Sequence, residues 1–183
     1  MSTPAHDVTA DFIDRLKANG STGASMAGLD AATGRVGGAV SGVAGQGVGT
    51  ALGMKQRWEW FYKQVRNSGP WDFKNNVYKK FRSSGVVICG RKYGNDMPGN
   101  FHFGFVGRAA GFASVTLQSG AGAAQMKAGT SDRKFWCTYG DDPVDNDFIR
   151  LGIELFDSVG LKVTQTKLKA VLGKASPATC WTP

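Results

Sequence analysis

Four aspartates lie close together in the C-terminal half of the chain, at Asp141, Asp142, Asp145 and Asp147. Carboxylates grouped in this way can bind a divalent cation or supply a general base. Helix capping also explains two of them, because an Asp N-cap followed by Pro143 and a further acid at N3 is typical of a helix start. Capping is the favoured interpretation for Asp142 and Asp145, and we predict neither a metal nor a cofactor.

His102 is the only histidine inside the predicted helical domain, and it lies between Phe101 and Phe103. A single histidine between two phenylalanines is more often a core residue than a catalytic one. The sequence contains no nucleophile elbow, phosphate-binding loop or H-E-x-x-H zinc motif. The residue types and their spacing therefore do not by themselves require an enzyme.

A second feature is a ladder of glycines at fourfold spacing. Between Arg35 and Lys55, 19 consecutive residues carry no charge. As a helix they would span about 28 Å, close to the ~30 Å hydrocarbon core of a bilayer. Glycines at i and i+4 let membrane helices approach closely, whereas a flexible linker is the alternative explanation of the same composition. We predict that the seam of a membrane oligomer is formed by Gly34, Gly38, Gly42, Gly45, Gly49 and Gly53.

The net charge of +8 comes almost entirely from residues 55–92, which carry ten basic and two acidic side chains. Such a block could bind nucleic acid, lie against anionic lipid, or form a solvated helix face. It directly follows the uncharged stretch and contains several aromatic residues, which favours the membrane and makes nucleic acid the weaker candidate. The predicted interface anchors are Lys55, Arg57, Trp58 and Trp60.

The three cysteines, Cys89, Cys137 and Cys180, are odd in number and form no C-x-x-C motif. The sequence therefore predicts free thiols and neither a disulfide framework nor a zinc site. The first residues lack the basic and apolar regions of a signal peptide, so that any export would use another route.

The apolar periodicity predicts a mainly α fold, in which a compact helical domain is preceded by a short helix and a Gly/Ala-rich segment. At most one short β element is expected, near residues 86–89. Residues 101–126 are predicted to form either a close-packed helical hairpin in a soluble core or a second membrane-competent segment. The other predicted helices cover residues 7–19, 51–65, 71–82, 143–159 and 163–172. The predicted units are 1–54 (helix and glycine segment), 55–172 (toxin domain) and 173–183 (tail).

Several local segments together resemble the polymorphic bacterial toxin domain called type 44, over about residues 69–152. The segments are 69–74 (GPWDFK), 99–104 (GNFHFG), 121–125 (AGAAQ), 139–143 (YGDDP) and 147–152 (DFIRLG). Members are toxin tips used in competition between bacteria. If the family is hydrolytic, the resemblance implies a substrate in the cell wall or in nucleic acid, and the positions to test are Asp72, Lys74, His102, Asp141 and Asp142.

The whole chain is also similar to small glycine-zipper effectors of type VI secretion systems, in its glycine ladder, its size and its missing signal peptide. That resemblance implies a protein that is cytoplasmic in the producer, is exported inside the ring of the secreted tube protein, and is neutralised by a cognate immunity protein. It further implies action from the periplasm at the target inner membrane. The favoured function is an antibacterial, homo-oligomeric pore that dissipates ion gradients without enzymatic chemistry. The alternatives are a type 44 hydrolase and a secreted structural protein.

Overall fold

The computed structural model describes residues 6–28, 54–81 and 85–180. This part of the chain is mainly α-helical, as the sequence predicts. The predicted seam, Gly34, Gly38, Gly42, Gly45, Gly49 and Gly53, lies outside the described residues, so its conformation stays a prediction.

The elements follow one another in an order dominated by helices. They are β1 (His6–Asp7), α1 (Thr9–Met26), α2 (Met54–Val65), a π-helical turn (Phe73–Val77), a 3₁₀ turn (Lys79–Phe81), β2 (Val86–Ile88), β3 (Arg91–Tyr93), α3 (Asp96–Ala109), α4 (Ser114–Ala128), a 3₁₀ segment (Arg133–Thr138), α5 (Pro143–Val159) and α6 (Gln165–Leu172).

The predicted β element is confirmed at Val86–Ile88, and it is the middle strand of a small sheet. β1 pairs with it in parallel and β3 in antiparallel orientation. Strands β1 and β3 were not predicted from the sequence. Strand β1 has two residues and β3 has three. A strand that short has no measurable alternation of polar and apolar residues, so periodicity cannot reveal it.

Helix α3 lies at the centre of the core and packs mainly against α5. Phe101 and Phe105 on α3 are fully buried. The two helices cross at glycines: a Cβ built at Gly104 would overlap the carbonyl oxygen of Ile149, and one built at Gly152 would overlap the carbonyl oxygen of Phe101. This backbone-to-backbone approach explains why a glycine-interrupted sequence is helical here, because packing outweighs the roughly 1 kcal/mol that each interior glycine costs.

Two predicted helices differ from the structure. Helix α1 does not stop at Asn19-Gly20 but continues to Met26, since Gly20 faces Leu161 and Phe105 and leaves them room to pack. In the helix predicted for residues 71–82, the described residues 71–81 do not form a regular helix but contain the π-helical and 3₁₀ turns. The side-chain amides of Asn75 and Asn76 there bond to Asp72 and to a backbone carbonyl, in competition with a helical ladder.

The stretch 101–126 forms a helical hairpin, α3 followed by α4, and α3 is packed in the core of the described domain. None of the helices among the described residues combines the length and the apolar character that crossing a bilayer requires.

The prediction of free thiols is wrong for two of the three cysteines. Cys137 and Cys180 form a disulfide with their Cα atoms 5.5 Å apart, whereas Cys89 is free. The pair is separated by 43 residues, so nothing local in the sequence indicates it. The described part of the tail is also attached at a second point, because the backbone N–H of Ser176 donates to Asp147 at 2.7 Å.

Candidate functional site

The main cavity of the described domain is a cleft of about 910 Å³ between α2, the π-helical turn, α3 and α4. It brings together four of the five positions selected for a hydrolase: Asp72, Lys74, His102 and Asp141 line it, and Asp142 does not. Residues that are far apart in sequence thus share one concave surface, which is the usual setting of a binding or catalytic site.

The cleft has two kinds of wall. Helix α4 contributes small residues, which keep the space wide, and the remaining walls carry aromatic side chains. The small residues are Gly120, Ala121, Ala123, Ala124 and Ala128, and the main aromatic ones are Trp58, Tyr62, Trp71 and Phe103.

Asp72 is a structural carboxylate. It caps the π-helical turn and accepts hydrogen bonds from the backbone N–H groups of Ser68 (2.7 Å) and Asn75 (2.9 Å) and from the Asn75 amide (2.8 Å). Burial works against ionisation, but these bonds outweigh it and hold the pKa of Asp72 below its usual value. An ionised carboxylate whose lone pairs are so fully used is a weak candidate for proton transfer.

Lys74 forms an ion pair with Asp96 at the first turn of α3, with 2.6 Å between Nζ and Oδ1. Both side chains line the cleft and are about half exposed. The ammonium holds the Asp96 carboxylate at one place on the cleft surface. Asp96 was not selected from the sequence, since an aspartate before a Met-Pro pair carries no local signature of a site.

His102 is 1% exposed, and its Nε2 lies 2.9 Å from the Asn19 amide nitrogen, from which it accepts a hydrogen bond. Burial, with a smaller contribution from the charge of Arg15, lowers the pKa of His102 to about 3. The ring packs against Phe73 and Trp71. His102 is therefore a neutral part of the aromatic base of the cleft, which matches the core interpretation favoured by the sequence.

The pKa of Asp141 is shifted in the opposite direction from the pKa of Asp72. It lines the cleft but is only 2% exposed. Its single side-chain partner is the Asn146 amide at 3.4 Å. Burial, reinforced by the charges of Asp145 and Asp142, raises the pKa of Asp141 to about 7. Near neutral pH this carboxyl can therefore exist in protonated form and donate a proton.

Two neighbouring aspartates at the start of α5 complete the acidic cluster. Asp142 is the N-cap of α5, as predicted, and its Oδ1 accepts from the backbone N–H of Val144 at 2.8 Å. Asp145 lies 3.5 Å from the Gln125 amide. Burial, together with the charges of Asp142 and Asp96, raises the pKa of Asp145 to about 6.

The turn that carries Asp141 is held tightly against α4. Tyr139 has a positive φ of 59°, and a Cβ built at Gly122 of α4 would overlap its carbonyl oxygen. The Thr138 hydroxyl donates to the backbone carbonyl of Asp141. The motifs around residues 121–125 and 139–143 are therefore parts of one structure, in which a glycine on α4 allows the turn to approach.

The predicted membrane anchors lie at the start of α2. Lys55 is exposed, whereas Arg57 donates to the carbonyl of Ala110 at 3.2 Å. Trp58 packs edge-on against Phe112, and Trp60 packs edge-on against Trp71. In this structure both tryptophans pack in the domain, and of the two only Trp58 lines the cleft. Their role as interface anchors stays a prediction.

Among the described residues, no group of three or more His, Cys, Asp or Glu side chains is arranged to hold a metal ion. The cations of the cleft are Arg66, Lys74 and Lys127, of which Lys74 is paired with Asp96. The cleft also contains Asp141, a carboxyl with a pKa near 7 that can transfer a proton next to aromatic surfaces.

Comparison with known families agrees with the resemblance seen in the motifs. No curated protein and no solved structure matches the chain. The model of the family described as bacterial toxin 44 matches residues 59–158, which are more than half of the chain and include every residue lining the cleft except Trp58. The chain therefore belongs to the bacterial toxin 44 family.

Proposed function

We propose that this toxin is a hydrolase and that its cleft works by general acid–base catalysis with Asp141 as the proton donor. The observation that carries the proposal is an almost fully buried carboxyl lining a cleft of about 910 Å³. Catalysis by a side chain is most efficient when its pKa lies near the working pH, and Asp141 has a pKa of about 7.

A second carboxyl is needed to take a proton from the attacking water. Asp96 is suited to this role because it lines the same cleft, is about half exposed, and is held by the ammonium of Lys74. The charge of the neighbouring Asp145 helps to raise the pKa of Asp141, since an ionised carboxylate disfavours a second one nearby. The cleft thus offers one proton donor and one proton acceptor.

Pore formation is the second candidate, and the uncharged run of 19 residues with its glycine ladder favours it. In that case Gly34 to Gly53 would form the oligomer seam in the target inner membrane. Export within a type VI tube ring, action from the periplasm and a cognate immunity protein are compatible with either function and are part of the proposal.

One experiment separates the two functions. Bacteria export to their periplasm the wild type, Asp141→Asn, the double variant Gly42→Leu/Gly49→Leu, or Asp14→Asn as a control that removes a charge from the exposed face of α1. Survival is counted, and membrane potential is followed with a voltage-sensitive dye. The hydrolase proposal expects Asp141→Asn to abolish killing, while the glycine variant and Asp14→Asn still kill.

A rapid loss of potential with the wild type and with Asp141→Asn, but not with the glycine variant, would overturn the hydrolase and establish the pore. Equal killing by all four proteins with the membrane potential intact would contradict both the hydrolase and the pore, because killing would then require neither the Asp141 carboxyl nor the glycine seam.

A further inference from the structure

We infer that the cleft binds the glycan strand of a bacterial cell wall and hydrolyses its glycosidic bond, with Asp141 protonating the leaving oxygen and Asp96 accepting a proton from the attacking water. This inference rests on the proposed hydrolase function and names the substrate class of the same site. It is drawn from the shape of the cleft, its aromatic surfaces and the arrangement of its charges.

The volume of the cleft is large enough for more than one sugar ring. Cavities for small molecules are typically ~300–1,000 Å³, and this cleft is near the upper end at about 910 Å³. Its width depends on the run of glycine and alanine on α4, since larger side chains there would fill it. A space of this volume can hold several sugar rings in contact with different residues of the lining.

The aromatic surfaces are held in place before any substrate arrives. Trp71 lies edge-on to Trp60 with the ring centroids 5.5 Å apart and edge-on to His102 at 5.6 Å, so its orientation is fixed from two sides. Sugar rings present apolar C–H faces that pack on such surfaces. The amides of Asn67, Asn100 and Gln125, which also line the cleft, can exchange hydrogen bonds with sugar hydroxyls.

The carboxyls match the requirements of glycoside hydrolysis, which uses one protonated and one ionised carboxyl. Asp141 transfers its proton to the glycosidic oxygen while the bond from that oxygen to the anomeric carbon breaks. Water adds its oxygen to the anomeric carbon and gives a proton to Asp96. One water is consumed, and proton exchange with solvent restores both carboxyls.

The charges of the cleft favour a glycan over the other two polymers. The carboxylate of Asp96 repels a phosphodiester, and Lys74 is already paired with that carboxylate. Cleavage of a wall peptide bond commonly uses a Ser or Cys nucleophile, and among the described residues that line the cleft none is Ser or Cys. Arg66 and Lys127 remain to bind the carboxylates that wall strands carry.

The test uses the full chain, purified with its disulfide intact, on three substrates: wall sacculi, peptide-free wall glycan, and RNA. New reducing ends report cleavage of glycosidic bonds, new amino groups report cleavage of peptide or amide bonds, and shortened RNA reports cleavage of phosphodiesters. The product masses are measured by mass spectrometry. We expect new reducing ends from both wall substrates, and the products together should gain the mass of one water for each bond cleaved. Asp141→Asn should lower kcat about 10²- to 10⁴-fold, and Asp14→Asn should leave it unchanged.

Substrate binding is tested separately at the aromatic surface. Trp71→Ala should raise KM for peptide-free glycan about two- to tenfold, and Trp71→Tyr should restore most of the loss. Trp136→Ala is the matched control, because Trp136 is 61% exposed and does not line the cleft.

New amino groups or shortened RNA without new reducing ends would overturn the glycan inference and leave the hydrolase standing. No cleavage of any of the three substrates by a preparation that still kills cells would overturn both. The products of the wild type decide between these outcomes even if a variant fails to fold.

Discussion

At the residue scale, two aspartates that are similarly buried have pKa values shifted in opposite directions. Asp72 is 7% exposed and accepts three hydrogen bonds, so its pKa is lowered. Asp141 is 2% exposed, and burial outweighs its long hydrogen bond from Asn146 and a backbone hydrogen bond from Asp142, so its pKa is raised. Hydrogen bonds to the ionised form, rather than burial alone, decide which carboxyl is structural and which can transfer a proton.

This difference predicts how stability depends on pH. A folded-state pKa of about 7 lies above the ordinary value for aspartate, so the native state binds the Asp141 proton more tightly than the unfolded chain. The stabilisation is complete below about pH 4 and is lost as the pH rises through 7. Raising the pH from 5 to 8 should therefore lower the free energy of unfolding by about 2 to 3 kcal/mol through the ionisation of Asp141.

Urea unfolding of the wild type and Asp141→Asn at both pH values measures the effect, because the amide cannot ionise and should remove that part of the pH dependence. Asp14→Asn, on the exposed face of α1, is the control. An unchanged pH dependence in Asp141→Asn would contradict the raised pKa and weaken the assignment of Asp141 as the proton donor.

At the element scale, the approach of α4 to the 139–141 turn positions the site. Gly122→Ala places a methyl group on the carbonyl of Tyr139, and relief requires the turn that carries Asp141 to move. We expect a loss of about 1 to 3 kcal/mol in unfolding free energy and a lower kcat on whichever substrate is cleaved. Gly94→Ala is the matched control, because the space around that Cβ is open.

Chemical denaturation and single-turnover rates measure the two effects. If Gly122→Ala and Gly94→Ala behaved alike, α4 would not constrain the turn, and the small residues of α4 would matter only for the width of the cleft.

The elements also show what the sequence could and could not predict. Helix α5 was predictable because Asp142, Pro143 and the apolar spacing act locally. The extension of α1 through Gly20 and the turns at Phe73–Phe81 were not, because contacts with distant residues decide them. The site follows the same division: Asp141 stood out within an acidic cluster, whereas Asp96 becomes relevant only when the fold brings α3 beside Lys74.

At the scale of the whole molecule, one covalent link connects the end of the described chain to the site. Cys180 is bonded to Cys137 in the 3₁₀ segment, and the next residue, Thr138, donates to the carbonyl of Asp141. The free thiol of Cys89 lies elsewhere, in the turn between β2 and β3. Loss of the disulfide would free the tail beside the turn that holds the proposed proton donor.

This arrangement predicts a toxin that depends on oxidation. Closing a loop of 43 residues stabilises a protein by about 4 kcal/mol in the chain-entropy model. Cys180→Ser should therefore lower the urea midpoint and kcat together, dithiothreitol should do the same to the wild type, and Cys89→Ser should do neither. If reduction leaves both quantities unchanged, the tail does not support the site. If both fall, full activity requires an oxidising compartment such as the periplasm, and the producing cell's reducing cytoplasm would hold the toxin in its weaker form.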